Sequence, residues 1–118
     1  MKLRIKGNSI RLRLLRSEVA RFADEGRISD EINFGAGTLR YTLVISDSDS
    51  TYATFHNNQI SVFVQSETAR EWATTDQVGI ESEQPIGDSE TLSILIEKDF
   101  VCVGRPDDPD SADAFSAT

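Results

Sequence analysis

Five cations alternate near the start of the chain: Lys2, Arg4 and Lys6 before Gly7-Asn8, then Arg11 and Arg13 after it. Alternate residues of a strand share a face, and Gly-Asn suits a tight turn that needs positive φ. The spacing therefore predicts a hairpin with all five cations on one side, and Leu3, Ile5, Ile10, Leu12 and Leu14 on the other. Like charges opposed across paired strands destabilise a sheet by about a few tenths of a kcal/mol per pair. Such a face either meets anions from later in the chain or recruits an anionic partner. In the first case it is a hydrated surface, partly neutralised by Glu81, Glu83, Glu97 and Asp99, through exposed pairs worth roughly 0–1 kcal/mol each. In the second it lines the lumen of a barrel. There the arginine forks and lysines grip a phosphate-rich ligand, and carboxylates hold a divalent metal such as Mg²⁺.

The remaining reactive residue types give less. His56 is the only histidine; it stands beside Asn57-Asn58 with no cysteine or second histidine nearby, and reads as a turn residue. Cys102 is the only cysteine, so no internal disulfide forms, in keeping with a reducing compartment. It reads as a small buried hydrophobe and would need a base such as His56 beside it to act as a nucleophile. Residues 46–50, SDSDS, lack the glycine and terminal glutamate of a calcium loop. Gly35-Ala36-Gly37 lacks a following helix and the longer phosphate-loop pattern. No zinc-ligand spacing occurs. No catalytic residue is assigned.

These groups are positioned by a plan used twice. Residues 10–28, IRLRLLRSEVARFADEGRI, and residues 60–78, ISVFVQSETAREWATTDQV, share three alternating aliphatics, Ser-Glu-x-Ala-Arg, an aromatic and an aliphatic restart. Each reads as strand, helix, strand. Ser17 and Ser66 suit the helix cap, Glu18 and Glu67 the positive end of the dipole, and Gly26 the left-handed stop of the first helix. Val19, Ala20, Phe22 and Ala23 form one apolar stripe, and Ala69, Trp72 and Ala73 the other. Asp30 interrupts the apolar face of residues 27–34, which weakens that strand or marks a bulge. Residues 38–46 alternate clearly, with Leu39, Tyr41, Leu43 and Ile45 inward. Further strands are expected at 51–56, 59–64, 77–84 and 91–103, with a loop from Pro85 to residue 90. The order is ββαββββαββ: an α+β domain over residues 1–103, built on an internally duplicated antiparallel sheet, strongly curved or barrel-like. Closure would remove exposed edges and set the first strand beside the last. Residues 104–118, rich in aspartate and poor in apolar residues, read as a mobile acidic tail.

The 118 residues, 38% hydrophobic and 27% charged, suit one globular domain. No apolar run approaches the roughly 18–20 residues that span a bilayer, and no signal peptide is evident, so a cytoplasmic protein without a membrane partner is expected. The net charge of −8 disfavours nucleic acid as a partner. That charge is polarised: residues 1–27 hold eight Lys/Arg against three Asp/Glu, and the rest hold four against seventeen.

The hairpin LRIKGNSIRLRL resembles that of the triphosphate-tunnel (CYTH) family, whose duplicated β-α-β-β-β unit closes into an eight-stranded tunnel. The resemblance implies tunnel cations at Arg4, Lys6, Arg11 and Arg13, and Mg²⁺ ligands at Glu81 and Glu83. The latter match the family's Glu-x-Glu-x-Lys only as far as the second glutamate, because Pro85 stands at the lysine position. The opening RIKGNSIRLRL and closing EKDF also resemble small uncharacterised bacterial proteins, domains of unknown function. Three functions are expected from these readings. The first is a non-catalytic domain binding an anionic, phosphate-rich ligand or a protein partner through Lys2, Arg4, Lys6, Arg11 and Arg13. The second is a Mg-dependent triphosphate hydrolase. The third is a structural interaction module whose tail docks on its own basic face through Asp107, Asp108 and Asp110.

Overall fold

Turn chemistry sets the hairpins. In the computed structural model, which describes residues 1–100, 113 and 115, β1 (Lys2–Lys6) and β2 (Ser9–Leu14) pair antiparallel around Gly7 at φ 54°. β5 (Tyr52–His56) and β6 (Gln59–Gln65) pair around Asn57 and Asn58, at φ 51° and 60°, the positive values that match a hairpin's right-handed twist. β3 (Arg27–Asn33) joins β4 (Thr38–Ser46), and β7 (Gly79–Ile86) joins β8 (Glu90–Lys98), in two more antiparallel hairpins.

Each half of the chain is thus hairpin, helix, hairpin, a larger unit than strand, helix, strand. Helix α1 (Arg16–Glu25) ends at Gly26, which takes φ 76° and donates its N–H to the Phe22 carbonyl. Ser17 is not its cap. β2 runs into the helix with no linker, so Leu15 takes the cap position, and the Glu18 carboxylate reaches back to accept the Leu15 N–H at 2.8 Å. In the same way Gln65, not Ser66, precedes α2 (Ser66–Thr74).

The strands form two four-stranded sheets, in the orders β1-β2-β8-β7 and β3-β4-β6-β5. The expectation of one antiparallel sheet curled toward a barrel is corrected here. The middle pair of each sheet, β2 with β8 and β4 with β6, is parallel, and among the described residues no backbone ladder joins the sheets. The last strand meets the second strand rather than the first. The cause is the helices, which carry the chain from one sheet to the other, so each sheet combines one hairpin from each half.

Both sheets turn their apolar faces to one core, which includes Leu12, Leu14, Ile80, Ile94 and Ile96 from the first and Ile28, Leu43, Val62 and Val64 from the second. Phe22 and Trp72, both fully buried, meet edge to face with centroids 6.2 Å apart and join the two helices. Ala20 and Ala23, expected in the helix stripe, are exposed. Asp30 causes no bulge. It keeps register opposite Tyr41, and its partner is the α-ammonium of Met1 at 3.1 Å, which also meets Glu18. β7 continues through Pro85, which an edge strand tolerates. Val78, expected in a strand, is exposed ahead of it, while its carbonyl accepts the Trp72 indole N–H at 3.0 Å. Among the described residues no helix is long and apolar enough to cross a membrane. Apart from Asp113 and Phe115, the expected tail 104–118 lies outside the described residues, as do Cys102, Asp107, Asp108 and Asp110.

Candidate functional site

The five cations do share a face, and it is the outer one. Leu12, Leu14, Ile94 and Ile96 fill the inner side of this sheet, so the alternating Lys2, Arg4, Lys6, Arg11 and Arg13 point away from the core. No lumen receives them, because the space between the sheets is packed with apolar side chains. This corrects the tunnel expectation.

Register fixes the pattern of charge in three rows. Lys2 lies opposite Arg13, which neighbours Glu97, and beyond it Gly79. Arg4 lies opposite Arg11, then Leu95 and Glu81. Lys6 lies opposite Ser9, then Ser93 and Glu83. Cations therefore occupy the β1–β2 half and carboxylates the β7–β8 half.

The first row neutralises itself. Arg13 Nε donates to Glu97 Oε1 at 2.6 Å, and Arg11 Nε lies 3.7 Å from the same oxygen. Lys2 Nζ meets Asp99 Oδ2 at 2.8 Å. The arginine side chains in these pairs remain 39% exposed, so water screens the contacts and each is worth about 0–1 kcal/mol. The second and third rows differ. Among the described residues neither Arg4 nor Lys6 forms an ion pair, and with Arg11 and Ser9 they line a depression of about 160 Å³. A second depression of about 260 Å³ shares Ser9 and Arg11 and is bounded by Glu81, Glu83, Ser93 and Leu95. Glu83 accepts the Ser93 hydroxyl at 2.8 Å.

The structure thus brings Arg4, Lys6 and Arg11 together, with Arg11 also 3.7 Å from Glu97, draws Lys2 and Arg13 aside into closer ion pairs, and sets Glu81 and Glu83 on the same face two strands from Arg11. Among the described residues no group of three or more His, Cys, Asp or Glu gathers as a metal cluster would. His56 ends β5 on the other sheet, exposed. Ser9 and Ser93 were missed by sequence reasoning; their alternation with Arg11 and Leu95 marks their face, but only the β2–β8 pairing makes them neighbours.

One titratable group of this sheet lies inside. Lys98 is buried, with Nζ donating to the Thr75 carbonyl at the end of α2 at 2.7 Å and lying 5.9 Å from the Trp72 ring centroid. Burial pushes its pKa below the usual lysine value, partly offset by the charge of Asp76.

No curated protein and no solved structure matches this chain, and nothing supports membership of the triphosphate-tunnel family. A family model does match, over residues 1–118, so the chain belongs to the family of unknown function DUF7009.

Proposed function

We propose that this domain is a non-catalytic binding module that holds an anionic, phosphate-rich ligand, or an acidic segment of a protein partner, on the outer face of the β1–β2 hairpin. The observation that carries the reading is the direct opposition of Arg4 and Arg11 beside Lys6, around a depression whose lining, among the described residues, includes no acid. Opposed like charges lower the stability of a hairpin, and a bound anion reverses that effect. The guanidinium fork suits phosphate oxygens, and Ser9 adds a hydroxyl. An acidic protein with a basic patch of this size is selective through local charge, so binding should weaken as salt rises.

Calorimetric titration with tripolyphosphate tests this. The wild-type chain is expected to bind, and Arg4→Ala/Arg11→Ala to bind at least about ten-fold more weakly, because a charge-assisted hydrogen bond contributes about 1.5–3 kcal/mol. Equal affinity of the two, or no binding by the wild type, removes the proposal and leaves a structural interaction module. The second depression, where Arg11 stands near Glu81 and Glu83, supports one alternative, a Mg-dependent triphosphate hydrolase acting on an open face. Phosphate release with Mg²⁺ that disappears in Glu81→Gln/Glu83→Gln would favour that alternative.

A further inference from the structure

Helix α1 starts without a polar side chain of its own at the cap position, since Leu15 stands there. The orphan N–H groups of its first turn are served from far along the chain. The Asp113 carbonyl accepts the Arg16 N–H at 2.8 Å, Asp113 Oδ1 accepts the Ser17 N–H at 3.0 Å, and Oδ2 accepts the Ser17 hydroxyl. These donors, from Ser17 first and then the Arg16 charge, hold the Asp113 carboxyl below the usual aspartate pKa. Two residues on, the Phe115 ring sits between cations, 5.6 Å from Arg16 Cζ and 5.3 Å from Lys98 Nζ, and tilts against Phe100 at 6.1 Å. Its N–H donates to the Asp99 carbonyl at 2.8 Å, and a parallel bridge pairs it with Phe100.

This is two-point recognition of a short segment. A carboxylate meets a helix N-terminus, and an aromatic ring meets two cations and a second ring. None of the described residues that form the seat lines the basic hairpin depression. In α2 the same Ser-Glu-x-Ala-Arg starts one helix position earlier, and among the described residues no side chain caps it, so a helix on this plan does not require such a cap.

We propose that the notch formed by Arg16, Ser17, Lys98, Asp99 and Phe100 is a recognition site for an Asp-x-Phe segment, occupied in the resting chain by its own Asp113 and Phe115. Asp113 and Phe115 then form a displaceable plug that competes with an Asp-x-Phe segment presented by another copy of this chain. Because the cis segment is tethered, its effective concentration is on the order of millimolar. An incoming segment must outcompete it.

The test uses the full-length chain and a fluorescent, terminally blocked peptide of residues 111–118, SADAFSAT. Asp113→Ala/Phe115→Ala is expected to bind this peptide saturably, while the wild type binds it at least about ten-fold more weakly. A peptide with the aspartate replaced by alanine should not bind. A folded variant that fails to bind, or wild type and variant binding equally well, would overturn the proposal. If the double variant does not fold, amide exchange in the wild type decides: Ser17 is expected to exchange more slowly than Ser66 and to lose that protection in Asp113→Ala, which has no side-chain acceptor for the Ser17 N–H. Equal exchange at Ser17 and Ser66 counts against the site.

Discussion

At the scale of single residues, Tyr41 shows how polar groups join the two sheets. Its hydroxyl donates to the Met1 carbonyl at 3.0 Å. Burial, followed by the charges of Asp30 and Glu18, raises its pKa above the usual tyrosine value. A raised folded-state pKa means that this contribution to stability is complete below the unfolded value, near 10. It is lost as pH rises through the folded value. Lys98 works in the opposite direction: its folded pKa is depressed, so its burial is penalised less as pH climbs toward the unfolded value. The comparison is therefore Tyr41→Phe against wild type, with Lys98 present in both. Urea midpoints followed from neutral pH to above about pH 10 should fall less steeply for Tyr41→Phe. Parallel alkaline limbs for the two proteins would show that this phenol is not part of the alkaline response.

At the scale of elements, the outer strands are stitched by side chains where, among the described residues, no backbone ladder exists. The Gln84 amide on β7 accepts the Ala53 N–H at 2.7 Å and donates to the Ala53 carbonyl at 3.1 Å, standing in for a neighbouring strand on β5. Ser82 adds a hydrogen bond to the Thr51 carbonyl at 2.7 Å. On the other flank Met1 plays the corresponding part toward Asp30 and Tyr41. Ala53 is buried, so a lost partner leaves its peptide group unsatisfied. Gln84→Leu should destabilise the domain by about 1–3 kcal/mol, measured as a shift in the urea midpoint at unchanged slope. A loss below about 0.3 kcal/mol would mean that water replaces the amide at no net loss.

At the scale of the whole molecule, the two halves are interlocked rather than side by side. The first half places β1–β2 in one sheet and β3–β4 in the other, and the second half does the same with β7–β8 and β5–β6. Neither half owns a complete sheet, and isolated hairpins are marginal in water. Chains of residues 1–49 and 50–118, divided in the serine-rich loop, should therefore each lack cooperative melting and recover it on mixing, with Trp72 burial as the fluorescence reporter. A fragment that melts cooperatively alone would contradict the interlocked arrangement.

How much of this was readable beforehand depends on the range of the interaction. Period-two alternation set which residues of β1, β2 and β4 share a face, Gly7-Asn8 and Asn57-Asn58 set the turns, and Gly26 ended α1, because each depends on backbone preferences within a few residues. The element order ββαββββαββ and the segregation of Arg4, Lys6 and Arg11 from Leu12 and Leu14 were legible for the same reason. Whether the cations face a lumen or solvent was not, since alternation defines two faces without saying which one a partner covers. Nor was the parallel pairing of β2 with β8, which links residues as far apart as Ser9 and Ser93 and selects Glu97, rather than Glu81 or Glu83, as the acid beside Arg13. Asp113 at the start of α1 belongs to the same class. By itself the sequence determined local conformation and the sorting of charge from apolar surface; the tertiary structure alone decided which distant segments meet, because that depends on how two sheets and two helices enclose one core.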